Sequence, residues 1–509
     1  MADMALDASG GSQVAPSPYC LQETVAAQGD LLDPASTSGT YVVPLAVQSV
    51  PITMSRGPRF VHFQPTGGAY DAIQAVKWIT DLVGAEPWIK RAKGIESQIA
   101  AQPELSELLS SRYEMELEFQ RIHRDRVLTG ELRWPPRRPG QYRLFAFLTM
   151  LHRLYPYLSE AAQHTLARKL YGSLKDEAGL APLAFEFDAA AQLMWGGFGV
   201  YLNDYEENGG VEFLALKGGL QVEVECKYIS VDRGRKVPSK ASLKLGTALN
   251  KALEITTEFQ GVRKVTILMR DRLGVQQGEL TELAETFRAM LTNGTSFIET
   301  TEWFMTVEAI ERTAGKSLQE QLDQMTEQSR QDSKQRAALD GQGRGEFRMS
   351  NRNRSDTAGV LISVRSARPD QNAEQILRPL NDSTKHQFSS KKPGIIFVRL
   401  ADTSEDELSS LFGGRDKAGF HRFATELLKK RPFLHTIAFT SPQQVPHWRP
   451  TALPPTASES DPLPKQDFSR EWEQLIYIQN PDHPLAENED LRMLFEARLA
   501  GPTSSSRAG

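Results

Sequence analysis

Gly209-Gly210-Val211-Glu212-Phe213-Leu214-Ala215-Leu216-Lys217-Gly218-Gly219-Leu220-Gln221-Val222-Glu223-Val224-Glu225-Cys226-Lys227-Tyr228 carries the strongest local signal in the chain. Two alternating runs, Gly210–Leu216 and Gln221–Ile229, flank Lys217-Gly218-Gly219-Leu220. A Gly-Gly pair between such runs marks a two-residue hairpin, because both central residues of that turn need positive φ. With Gly218-Gly219 as the turn, Lys217 pairs with Leu220 and Glu212 falls directly opposite Glu225. On the second strand Val222, Val224, Cys226 and Tyr228 share one face, and Glu223, Glu225 and Lys227 share the other. Opposed residues point to the same side with Cβ atoms about 4.5–5.5 Å apart, so Glu212, Glu225 and Lys227 form one cluster. Facing carboxylates repel, and a divalent cation is the natural counterweight.

Outward from the hairpin the pattern is mixed α/β. A helix over Leu183–Trp195 stops at Gly196-Gly197 before it. After it come a basic loop, a helix over Lys240–Phe259, a strand over Arg263–Met269, a helix over Glu279–Leu291 and a strand over Phe297–Val307. Residues 70–180 carry helical periodicity, as in Ile73, Val76, Ile79 and Leu82, and Pro135, Pro136 and Pro139 break it before a strongly apolar helix at Leu144–Leu154. They read as an N-terminal helical domain. Residues 1–58 read as a disordered tail with a short strand near Tyr41–Val50, and 313–357 as a polar linker or insertion. From 359 to 441 strands and helices resume: Val360–Val364, Ala373–Phe388, Gly394–Leu400, Ala418–Leu428 and His435–Thr440. Residues 442–509 form a Pro-rich tail with a helix near Asn488–Leu499. No internal repeat is present.

An acid, twelve intervening residues, then Glu-x-Lys across a hairpin, preceded by an acidic helix, resembles the PD-(D/E)XK nuclease superfamily. That resemblance implies a restriction-endonuclease-like mixed sheet flanked by helices, covering residues 181–310, with 359–441 continuing the core. It implies Mg²⁺ (or Mn²⁺) held by Glu212 and Glu225, with Lys227 as the catalytic lysine that orients or activates the attacking water. The preceding helix would supply a further catalytic acid, Glu186 as first choice and Asp188 in reserve. The basic residues Arg233, Arg235, Lys236, Lys240 and Lys244 follow the motif as a nucleic-acid-binding segment does. The helix and strand around Asn381–Phe388 and Pro393–Val398 look like those that close some of these sheets. One departure stands out: Val211-Glu212 occupies the place of the family's Pro-Asp.

Composition narrows the choice without deciding it. The 509 residues exceed a single typical domain, and the net charge is −5, from 59 Lys+Arg against 64 Asp+Glu. Such a balance excludes a polybasic protein, while local patches can still bind nucleic acid. Two cysteines, Cys20 and Cys226, exclude a disulfide framework and a cysteine-rich zinc site. The absence of a long apolar run and of a signal peptide points to a cytoplasmic protein with no membrane association.

The expected function is a metal-dependent nuclease acting on DNA in preference to RNA, set by family analogy in defence against foreign DNA. Helical-domain contacts with partner proteins or a homo-oligomer are open. Two other readings compete: a catalytically inactive nuclease-like nucleic-acid-binding or scaffold protein, and a helical interaction module whose α/β part is only structural. Weaker basic clusters lie at Arg121, Arg124, Arg126, Arg133, Arg137, Arg138 and Arg143 with Trp134 and Tyr142, and between Arg330 and Arg354. His123, His152 and His164 sit in helical segments without metal-type partners. No phosphate-binding Walker loop, serine-hydrolase elbow or His-Glu-x-x-His motif is present.

Overall fold

The computed structural model describes residues 58–63, 69–102, 105–129, 138–207, 209–255, 261–274, 276–340, 346–352, 358–403, 408, 412, 417–441 and 475–496. The expected strand at Tyr41–Val50 lies outside them. Strands β1 (Gly199–Tyr201), β2 (Phe213–Lys217) and β3 (Leu220–Ser230) form an antiparallel meander. The Gly-Gly turn takes the register read from the sequence, with Lys217 opposite Leu220 and Phe213 opposite Val224. Gly218 and Gly219 have φ of 55° and 84°. A Cβ on Gly219 would meet nothing within 4 Å, so only the backbone demands glycine there. Gly219→Val should therefore cost about 1–2 kcal/mol in a urea melt, through left-handed strain alone.

The ladder between β2 and β3 stops one pair short of the expected alternation. Gly209 and Gly210, at φ 152° and 89°, turn the chain before it reaches the strand. Glu212 thus sits just beyond the end of β2 rather than on it.

The helical part comprises α1 (Ala69–Val83), α2 (Glu86–Ala101), α3 (Ser106–Arg112), α4 (Glu114–Thr129), α5 (Pro139–Leu154) and α6 (Glu160–Ser173). It shares one apolar core with α7 (Ala181–Trp195) and the meander, through Phe147, Leu148, Phe187, Leu193, Phe213 and Val224 among others. The expected separate helical domain is therefore continuous with the sheet. A short helix, α8 (Asn203–Glu206), connects β1 to the Glu212 loop.

The strands beyond β3 divide differently from the sequence reading. Helix α9 (Ser239–Ile255), β4 (Gly261–Met269), α10 (Gln277–Asn293), β5 (Phe297–Glu299), β6 (Trp303–Ile310), α11 (Leu318–Asp340), β7 (Glu346–Arg352) and β8 (Ala358–Ser366) build a second sheet of their own. Its order is β5-β6-β4-β8-β7, with β4 parallel to β8. The insertion thus includes β4 through β8, rather than residues 313–357 alone, and neither β4 nor β8 joins the meander's sheet. Leu245, Leu249 and Phe287 cover one face of this second sheet, and Leu318 and Leu322 pack on part of the other.

The chain then returns through α12 (Asn372–His386) to β9 (Gly394–Ala401), which runs parallel to β3. Helix α13 (Lys417–Lys430) leads to β10 (Leu434–Thr440), parallel to β9. An edge strand, β11 (Ile476–Gln479), and α14 (Glu489–Glu496) close the described chain. That edge strand falls in the segment read as an irregular Pro-rich tail. It completes a six-stranded mixed sheet in the order β1-β2-β3-β9-β10-β11. Among the described residues no helix is long and apolar enough to cross a membrane.

Candidate active site

The site lies beside Glu225, just beyond the Phe213–Val224 pair where the β2–β3 ladder ends. Asn203 holds the loop that presents Glu212, its side-chain amide donating to the carbonyls of Gly209 and Val211 at 3.1 Å each. With no strand residue opposite, the Cys226 N–H is satisfied by Glu212 Oε2 at 3.0 Å. The glutamate thus takes over a contact that a longer β2 would have made through its backbone.

Glu225 has no exposed surface. Lys227 Nζ forms an ion pair with its Oε1, and side-chain hydrogen bonding joins the carboxylate to both Lys227 and Glu212. The Glu212 carboxyl lies against it, and burial together with the Glu225 charge pushes Glu212 well above the usual carboxylate range. Lys227 supplies the positive charge beside Glu225. The Lys227 ammonium group offsets part of the repulsion expected between the two carboxylates. The Lys227 ammonium is itself pulled down by burial and held up more strongly by the Glu225 and Glu212 charges.

Glu186 reaches the same region from α7. Burial raises its carboxyl to about 7, opposed by Lys169 and reinforced by the Glu212 charge. Its Oε2 accepts from the hydroxyl of fully buried Tyr205 at 2.8 Å. Lys169 lies 3.9 Å from that carboxylate, 2.5 Å from Asp204 Oδ2 and 4.1 Å from the centre of the Tyr205 ring. Asp188, the reserve acid, is held elsewhere by Arg399 of β9 at 2.8 Å. Tyr205, Lys169 and Asp204 escaped the sequence reading, because no periodicity marks Asn203-Asp204-Tyr205-Glu206 as supporting a distant helix.

Cys226 is buried, and three nearby carboxylates add to burial in raising its thiol well above normal. It is an inert thiol at this site.

The basic segment divides into two groups. Arg235 pairs with Asp232 at 2.9 Å and donates to Ser239 Oγ and the Asp402 carbonyl. Lys236 pairs with Asp271 at 2.8 Å. Both brace the junction between β3 and the inserted sheet. Arg233 and Lys240 are exposed and Lys244 is half-buried.

In the earlier arginine cluster, Arg121 and Arg138 share Glu118, and Arg143 pairs with Glu114. Arg133, Trp134 and Arg137 lie outside the described residues. Of the 330–354 cluster, Arg348 is described and pairs with Glu346 at 2.6 Å.

Among the described residues no three His, Cys, Asp or Glu side chains converge as a ready-made metal group. The donor set is the pair Glu212 and Glu225. Such a pair fits Mg²⁺, which keeps several waters and takes one or two carboxylates plus substrate phosphates. The fully buried Glu225 carboxylate, with Glu212 against it and Lys227 on Oε1, is the oxygen set on this structure that a hard cation would use. Comparison of the chain with family models, curated proteins and solved structures finds no match. The functional reading therefore rests on the residues of this site.

Proposed function

We propose that this protein is a metal-dependent nuclease, with DNA preferred over RNA, built on a restriction-endonuclease-like core. The observation that carries the reading is the buried Glu225, set between Glu212 and Lys227 at the point where two strands part. The element order adds support. An acidic helix, the hairpin, then α12 and a strand parallel to β3 follow the sequence that the resemblance implies.

Glu212 and Glu225 would hold Mg²⁺ or Mn²⁺, which when bound polarises a phosphoryl oxygen and lowers the pKa of a coordinated water. Lys227 places an ammonium group beside Glu225, where it orients the attacking water and stabilises charge developing on the phosphate. Glu186, ionising near neutrality with Oε2 held by Tyr205, accepts a proton in the same region. Defence against foreign DNA is the setting that family analogy favours.

A second reading, a catalytically inactive nucleic-acid-binding scaffold, draws on one specific observation. Lys227 already pairs with Glu225, and burial beside that carboxylate favours the neutral form of Glu212, so the cluster has charge compensation of its own. Purified protein incubated with plasmid, linear duplex, single-stranded DNA and RNA, in Mg²⁺ or Mn²⁺ and in EDTA, separates the two. Cleavage that EDTA abolishes is expected, while binding without cleavage in every metal selects the scaffold.

A further inference from the structure

Three segments meet at the end of the first sheet where β9 and β10 begin: the C-terminal turn of α12, the loop over residues 389–393, and the end of α13 with the turn after it. They are locked together. Gly394 N–H donates to the Phe433 carbonyl at 2.8 Å, Arg431 Nε to Thr384 Oγ1 at 3.3 Å, and the Phe388 and Phe433 rings lie 5.6 Å apart. A Cβ on Gly394 would fall 2.7 Å from Phe388 and 2.9 Å from Leu434, so the junction has no slack.

This end carries Lys385, Lys391, Lys392, Lys429, Lys430 and Arg431, against the exposed Asp382, which pairs at 4.0 Å with Lys385, and the exposed Asp482 beside His483, which bonds the Phe433 backbone. Lys385, Lys429 and Lys430 stand in last helical turns, where the helix dipole favours cations on its own account. Lys391, Lys392 and Arg431 lie outside the helices and have no such reason. Among the described residues Lys391, Lys392, Lys429 and Lys430 make no ion pair. The patch also adjoins the candidate site. Ser389 N–H donates to Glu223 Oε2 at 2.9 Å, one alternation from Glu225 on β3, and a Cβ on Gly210 would lie 3.8 Å from the Gln387 carbonyl. Gly210 belongs to the loop that presents Glu212.

We propose that these six cations form a track for the phosphate backbone of duplex nucleic acid, leading it past Gly210 to Glu212 and Glu225. The proposal deepens the nuclease reading and rests on it for the direction of the track. Lys391, Lys392, Lys429 and Lys430, without ion pairs among the described residues, match a polyanion that contacts them by charge. A membrane surface is the poorer match, because none of the three segments exposes a large apolar side chain for insertion.

The test compares wild type with Lys391→Ala/Lys392→Ala/Lys429→Ala/Lys430→Ala, all surface changes, with folding checked by circular dichroism. Binding to a fluorescein-labelled duplex is followed in EDTA across a salt series. Vesicles of mixed phosphatidylserine and phosphatidylcholine, and polyglutamate, serve as rival polyanions. The slope of log affinity against log salt should flatten by up to about 3.6, at about 0.9 per lost phosphate contact, and wild type should prefer the duplex to both rivals. An unchanged slope overturns the track, as does a loss confined to Arg233→Ala/Lys240→Ala, or equal binding to vesicles or polyglutamate. Because binding is read without metal, a flattened slope in a protein that cuts nothing keeps the track and removes only the nuclease reading.

Discussion

Glu225→Ala is expected to reduce metal-dependent cleavage to between about one hundredth and one thousandth of wild type, the scale seen when a principal electrostatic contact to a transition state is lost. The alanine removes a proposed cation ligand and also releases Lys227, so charge stabilisation and water positioning fail together. The buried position raises a folding concern, since deleting one partner of a buried pair costs about 3–5 kcal/mol when the other charge is stranded. Here the Lys227 side chain keeps 23% of its surface exposed and can turn toward water. Glu225→Gln, which preserves volume, supplies the control for packing and should lose cleavage equally. Glu186→Gln should also cut poorly, whereas Asp188→Asn should cut normally, because Asp188 is engaged with Arg399. The measurement is supercoiled-plasmid nicking in Mn²⁺, with circular dichroism of each variant. Full activity in a folded Glu225→Gln protein would end the assignment of this site.

The hairpin was legible because its information is local. Gly218-Gly219 sets the turn, the turn sets the register, and alternation then assigns the faces of β3. The position of Glu212 was legible only to one residue. Gly209 and Gly210 free the chain to bend, and sequence does not say that an N–H on the neighbouring strand will be met by a side chain. Glu186 could be preferred over Asp188 only once Arg399 was placed, and Arg399 is 211 residues downstream of Asp188. The same limit governs Arg235 and Lys236, which look like free cations until Asp402 and Asp271 arrive from distant segments. Apolar runs such as Val360–Val364 announce a strand, but two sheets with equally apolar interiors offer no local cue to which one it joins. Ile476–Gln479 pairs at the sheet edge over only four residues, too few for alternation to stand out.

The state of Glu212 gives the second large effect. Its folded carboxyl titrates well above the unfolded value of 4.5, so between those two values the folded protein holds a proton that the unfolded chain has lost. Stability contributed by this group is complete below about pH 4.5 and declines as pH rises toward the folded value. Glu186 contributes with the same sign in a window that closes near 7. Cation binding at Glu212 and Glu225 must expel the Glu212 proton, so metal affinity should rise with pH across the range in which metal-free stability falls. Wild type and Glu212→Gln are to be melted in urea between about pH 5 and pH 8, with EDTA and with Mg²⁺ or Mn²⁺. In EDTA the stability of wild type relative to the variant should decrease as pH rises, since only wild type carries the raised carboxyl. With metal at a hundredfold excess over Kd, wild type should gain about 2.7 kcal/mol near the upper end of the range, and the variant little. A wild-type-minus-variant difference that stays flat with pH, together with equal metal shifts in both proteins, would mean that Glu212 neither carries the displaced proton nor binds the cation, and the inactive scaffold would become the better account of the site.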